Sequence, residues 1–359
     1  MDKRVSEVID LLRFPLMFGV VLVHCVPVGV LGTALTSILG QTCVPTFFVI
    51  SGYLYFNGLT GDWSWSVFAS KLRKRVSTLL IPYIIWNIVL ALFICRSAIL
   101  HFDLDGLYGF FSERGLLSVP LAYWHISSPV WWHALSDAAP SEFVAWWQPL
   151  HIPLWYIRDL MVLCVCSPFV YALVRGRHGR FVMGVMALLL VATGGWFPLR
   201  SLFFFSYGAF LRIHALSPVP SKRSLHVLSA TALPLFIAAL VSTHLNSELQ
   251  TLFLPAFLLN MPALWFGVAD RLVEHRHIHA VPVLTQSCFL ILVLHFRPTL
   301  AYSDQLSHLL LSFLPASGLH DTLCYLLSPC IAVAVCVIIY MAMHRLMPRT
   351  LAFLTGGHA

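Results

Sequence analysis

Apolar residues fall along the chain in long runs separated by short polar stretches. The first covers about 11–31 and is interrupted by a guanidinium, Arg13, and an imidazole, His24. Nine more follow at about 38–57, 77–94, 153–173, 181–196, 201–213, 225–243, 251–268, 283–300 and 322–344. A helix that crosses a bilayer needs ~20 largely apolar residues. The pattern therefore predicts an all-α, polytopic integral membrane protein with about ten transmembrane helices, the fifth and sixth being short.

Composition agrees with this. Hydrophobic types make up 59% of the 359 residues and charged types 10%, against about 25% charged in a soluble domain. The charges then set a direction, because Lys and Arg collect in cytoplasmic loops. With ten alternating helices and both termini inside, seventeen of the twenty-two basic residues fall on one side. Only Arg96, Arg114, Arg158, Arg200 and Arg297 remain. The net charge of +7 is thus a topology signal. The basic residues form no single stripe, so no nucleic-acid partner is expected; the lipid bilayer is the surrounding medium. The first apolar run is too long for a secretory signal and reads as an uncleaved helix.

Neither repeats nor low-complexity tracts divide the chain, so residues 1–359 read as one integral domain. The long connection at about 97–151 is the exception. It carries Trp124, His125, Trp131, Trp132, His133, Trp146 and Trp147. That composition suits an outward segment at the membrane interface, where indole rings sit half wet. Its aromatic faces would also suit sugar rings. The nine cysteines lie in predicted helices or at their edges. None has zinc-finger spacing. They read as small buried residues, and no metal is expected.

Polar groups inside a span are functional candidates. His24 lies eleven residues beyond Arg13, about 16 Å along a helix. This puts Arg13 near the inner interface, one turn from Asp10, and His24 near mid-membrane. Ser51 falls near the middle of the second span, and His295 somewhat nearer the outside on the ninth. Trp155, Arg158 and Asp159 lie at one-turn spacing on the fourth. Each has a plainer reading: a core histidine, a snorkelling arginine, a close helix contact at Ser51-Gly52, an interfacial ion pair. Lys71, Arg73, Lys74 and Arg75 read individually as the positive-inside signal. Together, an inner basic patch and mid-membrane histidines point to transport or transmembrane chemistry.

Several stretches resemble, in order along the chain, the acyltransferase-3 family of bacterial membrane acyltransferases. "VIDLLRFPLMFGVVLVH" resembles its first-helix signature and "PTFFVISGYLY" its second helix. "KLRKRVSTLLIPYIIWN", "PLWYIRDLMV", "FFFSYGAFL" and "SCFLILVLHFRP" are similar to its later elements. There are departures: the second arginine of an R-x-x-R pair is replaced by Thr78, and the usual tyrosine before the late histidine is Leu292.

The resemblance implies a ten-helix enzyme of the bacterial inner membrane. It would move an acyl group, usually acetyl, from cytoplasmic acyl-CoA to a hydroxyl of an envelope glycan or lipid-linked saccharide. Acyl-CoA would be a co-substrate, with no permanently bound cofactor. Arg13, Lys71, Arg73, Lys74 and Arg75 would meet the CoA phosphates. His24 would act as general base, or be acylated transiently. Ser51 would steady the carbonyl or oxyanion. His295 would complete the catalytic set, and Trp155, Arg158 and Asp159 would shape the acceptor side. Two other readings use the same residues: a transporter or flippase without acyl chemistry, and a family member that has lost activity. The lack of internal repeats and of paired broken helices weighs against the transporter, and retention of His24 weighs against lost activity.

Overall fold

Prolines and glycines decide where the long apolar runs stop being straight helices. The structure, a computed structural model, describes residues 2–59, 63–105, 151–276 and 278–357. All regular elements among the described residues are helical. Asp2 caps the first helix, α1 (Lys3–Val23), by accepting the Arg4 N–H at 3.1 Å. Helix α1 runs through Pro15 but stops at Val23, four residues before Pro27, whose missing N–H and ring disfavour its continuation toward residue 31. The expected first helix therefore shifts toward the N-terminus. Arg13 stands halfway along α1, and His24 is its C-terminal cap residue.

After this break, α2 (Gly29–Tyr55) forms a continuous rod with a π-helical stretch, Thr33–Leu39. The next rod, α3 (Trp65–Ile94), has a π turn at Val76–Leu80, just before Pro82. A short helix, α4 (Arg96–Leu100), follows. Residues 106–150, which hold most of the tryptophan-rich segment 97–151, lie outside the described residues.

The expected fourth span is two helices, α5 (Trp155–Val165) and α6 (Ser167–Arg175), bent by 66° with the preceding turn Ile152–Leu154. Pro168 explains the bend. It cannot donate to the carbonyl of Cys164, and the Ser167 hydroxyl does so instead at 2.7 Å. Helix α7 (Gly179–Ala192) ends at Gly194 and Gly195, both at positive φ. Then come α8 (Phe197–Ile213), α9 (Lys222–His244) and α10 (Gln250–Arg276). Helix α11 (Pro282–Leu294) passes through a π turn, His295–Thr299, into α12 (Leu300–Leu310). Helix α13 (Gly318–Leu346) and the short α14 (Pro348–Leu354) close the chain.

Each of the ten predicted segments is largely helical, the first being broken at 24–28. Among the described residues, five helices are long and apolar enough to cross a membrane, or six if the bent pair is one span. Large apolar side chains stand exposed on these and the shorter helices, such as Phe181, Leu188, Leu233, Ile237 and Ile338. A water-soluble fold rarely exposes so much contiguous apolar surface; lipid covers it in a membrane protein.

Inside, α2 and α8 approach most closely. A Cβ at Gly52 would overlap the backbone of Phe205, and one at Gly208 that of Val49. Small residues allow such contact between membrane helices. One end of the bundle is basic. There Lys71 meets the end of α2, His214 reaches the Val174 carbonyl at 2.8 Å, and Arg4 pairs with Asp270 and Glu274. The opposite end carries His24, the Thr36–Tyr325 hydrogen bond at 2.8 Å and the α12–α13 hairpin.

Candidate active site

The break at Pro27 leaves His24 at the helix end, where its ring meets the π turn after α11. The ring centroids of His24 and His295 are 5.1 Å apart, and Phe296 stands edge-on to His24 at 4.9 Å. Pro298, inside the π turn, cannot donate to the Leu294 carbonyl. The widened turn opens directly at His295, and π turns recur where a helix carries function.

His295 is fully buried. Its Nδ1 lies 2.8 Å from the Ile291 carbonyl oxygen, which can only accept. Nδ1 therefore carries the proton, and Nε2 presents its lone pair. Nε2 is buried with no hydrogen-bond partner among the described residues, an arrangement that calls for an explanation in a packed interior.

A third histidine, His151, joins from the start of α5. Its Nε2 lies 2.7 Å from the carbonyl of Val293, two residues before His295. Its backbone N–H donates to Asn87 Oδ1 at 3.1 Å, and Asn87 Nδ2 donates to the Tyr83 carbonyl at 2.8 Å. His151 thus ties α3, α5 and α11 together. Sequence reading passed over it, because it closes a tryptophan-rich connection rather than lying in an apolar run. A cavity of about 550 Å³ opens beside His24, between it and Phe296, Leu300, Asp304 and Tyr325.

The other expected residues sort by position. Asp10 holds Arg13 at 3.2 Å, as their one-turn spacing predicts. Lys71 and Arg75 face the bundle, while Arg73 and Lys74 are exposed. The Lys71 Nζ donates to the Tyr55 carbonyl at 2.6 Å and so caps α2. Lys71 and Arg75 flank the Tyr55 ring, at 5.4 and 5.5 Å from its centroid. Arg13 and Arg75 both lie within electrostatic range of the Tyr156 hydroxyl, which hydrogen-bonds Ser51 Oγ at 2.8 Å. Arg73 and Lys74 border an outer groove with Ser66, Ser70 and Ser77. The Thr78 hydroxyl bonds the Lys74 carbonyl at 3.1 Å, and the chain at Gly356 packs on the Thr78 backbone.

Ser51, expected to steady the carbonyl or oxyanion, does not lie beside His24. Gly40 packs against Val23, so Ser51, eleven residues further along α2, sits about 16 Å from that level. It belongs with Tyr156 and the Arg13 side. Trp155, Arg158 and Asp159 also lie away from the cavity beside His24. Arg158 and Asp159 form a buried ion pair at 2.8 Å, and Asp159 accepts the Ser201 hydroxyl at 2.8 Å. Trp155 packs near Phe48. The structure brings this trio to the interior between α2, α5 and α8.

A family model described as an acyltransferase domain matches residues 7–341. The chain belongs to this acyltransferase family. The matched region runs from Glu7 to Met341 and contains every candidate site residue described above. The acyltransferase is also 27% identical to the succinoglycan biosynthesis protein ExoH of Rhizobium meliloti (strain 1021), over 99% of this chain and 94% of that protein. No solved structure matches the acyltransferase.

Proposed function

We propose that this membrane acyltransferase moves an acyl group, acetyl in the simplest case, from acyl-CoA to a hydroxyl of a cell-envelope carbohydrate. In this reading the chain crosses the bacterial inner membrane ten times, and its basic end, with both termini, faces the cytoplasm where CoA is found. The observation that carries it is the pairing of His24 with His295 at a cavity, about 16 Å along α1 from Arg13. That spacing suits a polyanionic nucleotide held at one end and a thioester delivered to the other. The relative named for succinoglycan biosynthesis supports a carbohydrate acceptor.

The nucleotide phosphates would meet Arg75 and Arg13, with Arg73 and Lys74 in the outer groove. The Ser51–Tyr156 pair lines the path of the pantetheine arm. At the far end, the His24 ring would turn to donate an N–H to the unpartnered His295 Nε2 when substrates bind, presenting its other nitrogen to the cavity. That nitrogen takes the proton of the acceptor hydroxyl. The oxygen attacks the thioester carbonyl carbon, the C–S bond breaks, and the CoA thiolate leaves with the proton that His24 returns. General-base catalysis of this kind contributes ~10²–10⁴-fold. Arg158, Asp159 and Trp155 hold α5 in place behind the path.

The test uses the purified chain in detergent with acetyl-CoA and, separately, succinyl-CoA. Donor-dependent release of free CoA thiol that falls at least a hundredfold in His24→Ala supports the reading. Absence of thiol release from either donor, with envelope extract supplied as acceptor, would leave a transporter as the better account.

A further inference from the structure

The α12–α13 hairpin carries a second group of chemically potent side chains that acyl transfer does not use. His308 on α12 and His320 and Cys324 on α13 bring one ligand atom each to within 4.8 Å of one another. We propose that these three residues bind a divalent cation of the zinc class on the rim of the cavity beside His24.

The geometry supports this at three points. His320 and Cys324 are four residues apart, so they share one helix face, and His308 approaches from the neighbouring helix with its ring centroid 5.3 Å from that of His320. Cys324 Sγ and His320 Nε2 are 3.6 Å apart. A tetrahedral ion with Zn–N near 2.0–2.1 Å and Zn–S near 2.3 Å separates such atoms by about the same distance. The remaining nitrogen of His320, Nδ1, lies 3.2 Å from Asp321 Oδ1. A carboxylate on the far nitrogen is the usual support of a metal-bound imidazole, since it fixes the tautomer that presents Nε2.

His308 and Cys324 also line the cavity, as do Asp304 and Asp321. Three protein ligands leave a fourth position open on that side. The ion would clamp α12 to α13 and fix the width of the cavity mouth. Binding converts the Cys324 thiol to a thiolate and releases its proton to solvent. Zinc-finger spacing is absent because the ligands come from two packed helices rather than from tight turns.

The test needs no acyl donor or acceptor, so its outcome is separate from that of the acyl-transfer reading. The full chain in detergent is stripped with chelator and titrated with Co²⁺. One equivalent should bind with a thiolate-to-cobalt absorption band that Zn²⁺ displaces. Cys324→Ser should abolish the band, His308→Ala should alter it, and Cys166→Ser, at an exposed thiol elsewhere, should leave it unchanged. Asp321→Asn should weaken Zn²⁺ binding about 10–100-fold. Gel filtration shows whether each variant keeps its fold, and His308→Ala gives an independent reading should Cys324→Ser aggregate. No stoichiometric band in the wild-type chain, or a band that survives in Cys324→Ser or is lost in Cys166→Ser, overturns the proposal.

Discussion

His24 and His295 play different parts because their rings are held differently. His295 is buried and fixed by the Ile291 carbonyl, whereas His24 borders the cavity. His295→Ala should therefore lower kcat about 10²-fold, the cost typical of a misplaced reacting group, while leaving the donor KM nearly unchanged. An equal change in KM would mean that His295 binds donor instead. The basic residues divide in the same way. A charged hydrogen bond contributes about 1.5–3 kcal/mol, so Arg75→Ala should raise the acyl-CoA KM by about 10–100-fold. Lys71→Ala should instead lower thermal stability, because its ammonium caps α2. The pairing of Asp10 with Arg13 was legible in the sequence, since it is local. The pairing of Ser51 with Tyr156 was not, since the two residues are 105 apart and only packing joins them.

At the scale of the element, proline placement controls function. The apolar pattern located the long helices but not the short Arg96–Leu100 and Pro348–Leu354 or most of Leu300–Leu310, and hydropathy runs straight through Pro27, Pro168 and Pro298, where the backbone does not. Each proline removes one helical N–H, and the resulting end, bend and π turn set His24, the α5–α6 bend and His295 in place. His24 was expected inside a continuous helix and instead caps its end, because α1 stops at Val23. Pro298→Ala should let the helix close normally across the turn. It should reduce acyl transfer at least tenfold without lowering the melting temperature, as measured by activity and thermal denaturation in detergent. Unchanged activity would show that the π turn does not position His295. Gly208 tests the α2–α8 crossing. Gly208→Val should cost about 1–3 kcal/mol by overpacking, seen as a lower melting temperature, because Val49 backbone blocks the new side chain.

Across the whole molecule, the two ends are chemically unlike. Basic side chains with the Ser51–Tyr156 pair lie toward one end, and histidines with a cavity lie at the other. Charge segregation made this polarity readable from the sequence. The cavity and the residues lining it were hidden, because α12 and α13 meet α1 only through tertiary packing. The proposed function uses this polarity, with donor at the basic end and acceptor at the cavity. The most direct measurement compares envelope-glycan esters, by mass spectrometry before and after mild base, in native, deletion and His24→Ala-complemented strains. The account predicts an acyl ester that disappears in the deletion and does not return with His24→Ala at normal membrane levels. Full restoration of that ester by His24→Ala would contradict it.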